Sequence, residues 1–174
     1  MALNSQKYRD ALAHLGQKRA VFTDPPEAFH AWLTEKQLPG DLVEFLLGTA
    51  LAAAVPFPNG SGGMWTPRDV MDLNDQESAI LSAGLFAVGS AVNGDFIVID
   101  LRDERRQAGF VGHDELAESS SGDVRAIFVP VADSSEEMMV GMSGALWECF
   151  RSDAGEQNSY PCDYCDALTW RKDR

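Results

Sequence analysis

The clearest pattern of apolar and polar positions lies mid-chain, where two apolar runs flank Asn93-Gly94. Asn-Gly between such runs predicts a hairpin, because both central residues of a type I′ turn need positive φ. Residues 85–88 are therefore expected to pair with residues 96–101. The second run is apolar at successive positions, which favours a strand buried on both faces. Residues 109–112 are expected to form the next strand.

Helical spacing is strongest before the hairpin. Phe29, Trp32 and Leu33 fall at i, i+3 and i+4 and predict a helix with one apolar face. Asp24 and Glu27, on either side of two prolines, are expected to begin this helix with a capping box. Residues 38–39, Leu-Pro, should end it.

Further helices are expected at residues 5–16, from residue 39 to 47, and from residue 134 or 135 to about 150. Residues 67–70 are expected to form only a brief helical turn. Residues 64–66 are interpreted as a short edge strand and residues 126–129 as a strong one.

The order of these elements, helices first, then short strands and a helix, predicts an α+β fold. We expect a single, mostly antiparallel sheet packed by helices. At 174 residues, the chain is expected to form one domain. Its core would span about 24–150, with an N-terminal helix in residues 1–23 and a C-terminal extension at residues 151–174.

Charge is the unusual property of the composition. The net charge is −13, and residues 37–174 carry 23 acidic and nine basic residues, a balance of −14. Six acidic residues and no Lys or Arg lie from Asp69 to Leu101. This field repels nucleic acid and anionic lipid and attracts cationic partners. The alternative interpretation is that the acidic residues only maintain solubility.

The N-terminus lacks the apolar core of a secretory signal, and the longest apolar stretch is too short to cross a bilayer. A cytoplasmic location without membrane contact is therefore expected. Three cysteines, Cys149, Cys162 and Cys165, are an odd number for a disulfide framework and are typical of a reducing compartment.

Candidate chemistry is sparse, and no catalytic residue, metal site or cofactor is predicted. His113-Asp114 resembles part of a metal site but lacks the further ligands, so a polar turn is the favoured interpretation. Cys162 and Cys165 have metal-binding or redox spacing, yet a second ligand pair is missing and neighbouring acidic residues would raise the thiol pKa. A metal- or thiol-dependent enzyme remains a minor alternative.

The ordered motifs resemble those of a known family. Residues 38–46, Leu-Pro-Gly-Asp-Leu-Val-Glu-Phe-Leu, are similar to a helix start of the SUKH superfamily (Smi/Knr-like proteins). The glycine-rich residues 59–66 resemble its turn into a short strand, and residues 84–89, 93–100 and 109–114 resemble its core hairpin and following strand. Residues 48–50, Gly-Thr-Ala, depart from the family's usual Asn-Gly-Gly.

The resemblance implies an α+β fold and, in bacteria, an immunity protein that neutralises a secreted toxin, commonly a nuclease or deaminase. It brings no catalytic residues with it. The alternative is a regulatory or scaffolding protein like the yeast cell-wall assembly regulator, with no toxin partner.

A basic toxin domain would be attracted by the acidic residues, and large aromatic side chains commonly anchor such contacts. The predicted partner-binding residues are Trp65, Asp69, Asp72, Asp75 and Glu77. The alternative is that Trp65 packs in the core while the four acidic side chains only face solvent.

Overall fold

The computed structural model describes residues 3–6, 9–10, 21–56, 62–91, 94–118 and 123–132. Its helices are α1 (Glu27–Glu35), α2 (Gly40–Gly48), α3 (Pro67–Gln76), α4 (Ser78–Ser82) and α5 (His113–Glu118), with a 3₁₀ turn at Val124–Ile127. Its strands are β1 (Val55–Pro56), β2 (Gly62–Met64), β3 (Leu85–Ala91), β4 (Phe96–Asp100), β5 (Ala108–Val111) and β6 (Phe128–Ala132).

The six strands form one sheet in chain order, and each neighbouring pair is antiparallel. The predicted α+β fold is confirmed. So is the central hairpin, in which Leu85 pairs with Asp100 and Ser90 with Phe96. Gly94 has a φ of +92° in the connection, a conformation that glycine adopts without steric cost.

Helices cover both faces of the sheet. On one face, Phe86 and Ile99 join Phe29 of α1 and Phe45 of α2 in the larger apolar cluster. On the other face, the smaller cluster has members in β3, β4, β5, β6, α4 and the 3₁₀ turn: Leu85, Ala87, Val98, Val111, Phe128, Ile80 and Val124. Because β4 contributes to both clusters, its predicted burial on both faces is confirmed.

The start of α1 differs from the prediction. Pro26 is the residue that precedes the helix, and no side chain caps it, so the expected capping box of Asp24 and Glu27 is wrong. Asp24 lies two residues before that position, which places its carboxylate before the first free helical amides. The first helical residue is Glu27, and the helix ends as expected before Leu38.

Three other boundaries also differ. The predicted turn at residues 67–70 is the start of a ten-residue helix, α3. The short strand expected at residues 64–66 lies earlier, at Gly62–Met64, and its expected edge position is wrong, since β2 pairs with both β1 and β3. Strand β6 begins at Phe128 because residues 124–127 form a 3₁₀ turn. Of the expected first helix, residues 5–6 and 9–10 are helical. The helix predicted at residues 134–150 and the C-terminal extension lie outside the described residues.

Candidate functional site

Four of the five predicted partner-binding residues lie at α3 or directly before it. Trp65 follows β2, is half-buried against the larger cluster, and donates its backbone N–H to Val88 O at 3.3 Å. Thr66 then caps the start of α3 with a capping box, since its hydroxyl accepts from the Asp69 N–H at 3.3 Å and its own N–H donates to Asp69 Oδ2 at 3.3 Å. This cap fixes Asp69 against Thr66, the residue that follows Trp65 in the chain.

Asp72 is more exposed than Asp75 on the same helix. Its side chain is 58% exposed, and it pairs with Arg68 across 3.6 Å on the same face of α3. Arg68 is itself 87% exposed, and a solvent-exposed pair of this kind contributes little to stability. The Asp72 carboxylate therefore remains available to an external cation.

Asp75, by contrast, is engaged within the molecule. Its two oxygens accept from Lys36 Nζ at 2.6 Å and from Trp32 Nε1 at 3.0 Å. The hydrogen bond from Lys36 is the main cause that lowers the pKa of Asp75; burial opposes it, and the Trp32 bond adds a smaller lowering. This arrangement links α1 to α3.

Glu77 lies at the junction of α3 and α4, where its N–H donates to Leu73 O at 2.7 Å. An α-helix rises about 1.5 Å per residue, so Trp65 and Glu77 are separated by the length of α3. Asp69, Asp72 and Asp75 are exposed along one side of that helix. The five predicted residues therefore form a strip along α3, not one cluster.

Asn74, on the inner side of α3, was missed by the sequence reasoning. Its amide accepts from Ala87 N at 3.0 Å and donates to Ala87 O at 2.9 Å and to Val70 O at 2.7 Å. Along the same edge of β3, Gly89 pairs with Met64 of β2. Asn74 thus continues the hydrogen bonding of β3 beyond the end of β2 and fixes α3 against the sheet.

Two further ion pairs join distant parts of the chain. Arg106 binds both oxygens of Asp41, at 2.9 and 3.2 Å, and this hydrogen bonding is the main cause that lowers the pKa of Asp41. Burial raises the pKa of Asp100, but hydrogen bonds from Arg125 and the Arg102 N–H outweigh it and leave this pKa lowered. Both carboxylates therefore stabilise the fold.

His113 lies between two carboxylates at the start of α5. Its Nδ1 is 3.2 Å from Asp95 Oδ1, and its Nε2 is 3.1 Å from Asp114 Oδ1. The His113 N–H also donates to Asp95 Oδ1 at 3.1 Å. Within the described ranges, no three His, Cys, Asp or Glu side chains converge as metal ligands would. The three cysteines lie outside those ranges.

A partly open apolar cavity of about 30 Å³ lies beside Trp65. Ligand pockets usually have volumes of about 300–1,000 Å³, so this cavity does not suit a cofactor or a small-molecule substrate. The arrangement around α3 is instead a surface: an aromatic residue with a shallow apolar recess, next to exposed carboxylates.

The described residues keep a large negative excess after internal pairing. They include 18 acidic residues (27 in the whole chain) and seven basic ones, a difference of 11. Lys36, Arg106 and Arg125 are each bound to one carboxylate. Pairing among the described side chains cannot cancel the remaining charge.

Comparisons with protein-family models, with curated proteins and with solved structures give no match to this chain. None of the helices in the described part of the chain has the length and apolar character needed to span a bilayer.

Proposed function

We propose that this chain is a non-enzymatic binding protein, an immunity protein that neutralises a cognate basic toxin domain of the nuclease or deaminase class by stoichiometric binding. The observation that carries the proposal is the excess of 11 negative charges among the described residues. Such a field accelerates association with a cationic surface, such as the site with which a toxin grips nucleic acid.

The strip along α3 is the proposed contact surface. Trp65 supplies an aromatic anchor, and Asp69 and Asp72 supply exposed carboxylates next to it. Asp75 contributes negative potential, although Lys36 and Trp32 already occupy its oxygens. Fully desolvated aromatic residues ringed by polar groups commonly supply most of the binding energy in protein interfaces.

The test begins with capture of binding partners by the tagged full-length chain from its native host, at low salt and at about 0.5 M salt. We expect one small basic domain, retained at low salt, bound 1:1, and toxic when expressed without the chain. Capture of cell-wall assembly proteins in place of a toxin would favour the regulatory alternative. Turnover of a substrate by the isolated chain would contradict the proposal.

A matched pair of charge reversals locates the surface. Asp72→Lys is expected to weaken toxin binding about tenfold at low salt, because it replaces an exposed carboxylate on α3. Glu118→Lys makes the same charge change on α5, whose Leu116 packs against the smaller cluster. An equal effect of both variants would show that α3 is not the contact surface.

A further inference from the structure

The cavity beside Trp65 has a mostly apolar lining. Its walls come from α1, α2, α3, β2 and β3: Phe29, Phe45, Leu46, Thr49, Ala50, Leu51, Met64, Trp65, Pro67, Val70 and Val88. Thr49 and Trp65 are the two lining residues whose side chains have a polar group, and the Thr49 hydroxyl already donates to Phe45 O at 2.7 Å. A water molecule needs two to four polar partners, so this recess favours an apolar group.

The size of the cavity limits what can enter it. A volume of about 30 Å³ is two to three times the roughly 10–15 Å³ that one water-sized sphere needs. The recess is therefore small, and the end of an aliphatic side chain matches its size. A partner that fills it would restore packing contacts that the lining atoms lack.

Trp65 connects this recess to the acidic strip. Its side chain is half-buried, packs against the larger cluster and lines the recess. Trp is enriched at interfaces because its large ring combines apolar area with a polar N–H group. The capping box fixes Asp69 against Thr66, the residue after Trp65, and Asp72 follows one turn later.

We propose that the recess beside Trp65 receives an aliphatic side chain from a basic protein segment whose neighbouring Lys or Arg residues face Asp69 and Asp72. Charge complementarity selects this occupant, since the described residues are strongly negative and Asp69 and Asp72 are both exposed. This inference deepens the proposed function, and rests on it, by defining the chemistry of the partner at that surface.

The test uses methyl NMR of the full chain titrated with three model peptides that alternate Lys with Val, Lys with Ser, or Glu with Val. The Lys–Val peptide is expected to shift the methyl resonances of Met64, Val70 and Val88, with smaller shifts as salt increases. The other two peptides should leave these methyl groups unchanged. Equal shifts from the Lys–Val and Lys–Ser peptides would overturn the inference.

Ala50→Val fills the recess, and Ala126→Val makes the same change at an exposed position of the 3₁₀ turn. Ala50→Val is expected to weaken binding of the Lys–Val peptide about fourfold or more, because the loss of about one buried methylene group has this effect. Ala126→Val should not weaken it. Thermal unfolding verifies that both variants fold. If Ala50→Val does not fold, Val88→Ile replaces it as the variant that fills the recess.

The two proposals fail in different ways. If Asp72→Lys weakens the binding of a captured toxin but Ala50→Val does not, the toxin does not use the recess and the proposed function stands. If the native host yields no toxin while the peptide shifts respond to Ala50→Val, the recess binds basic segments and the immunity function is wrong.

Discussion

At the residue scale, Asn74 hydrogen-bonds the edge of β3 as a residue of a neighbouring strand would. Its side chain is 1% exposed and makes three hydrogen bonds to the backbone of Ala87 and Val70. A buried backbone group without a partner costs about 1–3 kcal/mol. Asn74 therefore determines where α3 lies on the sheet.

Asn74→Ala is expected to lower the free energy of unfolding by about 3 kcal/mol, because it leaves the N–H and C=O of Ala87 without partners. Urea denaturation followed by circular dichroism measures this. Gln76→Ala, at an exposed position of the same helix, is the control and should change stability by less than about 0.5 kcal/mol. Equal effects of the two variants would contradict the structural role of Asn74.

Asp100 makes stability depend on pH. Its pKa in the folded protein is lowered, so its contribution is present above the pKa of the unfolded chain and is lost as pH falls through the folded pKa. We expect the free energy of unfolding to fall as pH decreases below about 5, and Asp100→Asn to flatten this decrease. Asp24→Asn, at an exposed position, should follow the wild-type curve. Parallel curves for Asp100→Asn and wild type would refute the assignment.

Residue-level roles of this kind could not be predicted from the sequence. Trp65 and Asp72 were predicted as surface residues from their types, and the structure places them half-buried and exposed, respectively. The pairing of Asp75 with Lys36 depends on the packing of α1 against α3, which local patterns do not encode. The same holds for Asn74, since a polar residue within an amphipathic helix usually faces solvent.

At the element scale, local signals predicted the central hairpin and α2, while the extent of α3 was missed. The hairpin depends on adjacent residues, since Gly94 supplies the positive φ and β4 is a continuous apolar run. Helix α3 carries four charged residues and few apolar ones, so the segment is polar overall although its few apolar residues lie on one side. The full length of this helix is stabilised by the cap at Thr66 and by packing of Val70 and Asn74 on the sheet.

Two non-glycine residues have positive φ, one at the end of a helix and one before a strand, and together they test the cost of left-handed backbone. Gln37, after α1, has a φ of 55°, and Arg106, before β5, has a φ of 56°. Left-handed backbone costs a non-glycine residue about 1–2 kcal/mol. The side chain of Gln37 is exposed, whereas Arg106 binds Asp41 and also donates to Leu101 O at 2.8 Å.

Gln37→Gly is therefore expected to raise the free energy of unfolding by about 0.5 kcal/mol, since relief of backbone strain exceeds the added entropy of the unfolded chain. Arg106→Gly is expected to lower it by about 2 kcal/mol, because Asp41 loses its partner. Urea denaturation of both variants measures the two signs. A stabilising effect of Arg106→Gly would show that the ion pair with Asp41 contributes nothing.

At the scale of the whole molecule, the sequence predicted the sign of the charge but not its internal distribution. Asp41 and Asp100, counted with the other acidic residues, are neutralised by Arg106 and Arg125 inside the fold. The excess of 11 negative charges among the described residues remains, since those residues hold only seven basic side chains. Like charges at this density repel one another in the folded state.

Added salt is therefore expected to stabilise the fold, because screening of the net repulsion exceeds screening of the few ion pairs, of which the three shortest are partly buried. Urea denaturation at low salt and at about 0.5 M sodium chloride measures the effect with an uncharged denaturant. The double variant Glu104→Gln with Glu118→Gln removes two exposed charges and should show a smaller salt response. A decrease in stability with salt would mean instead that specific ion pairs dominate the electrostatics of this chain.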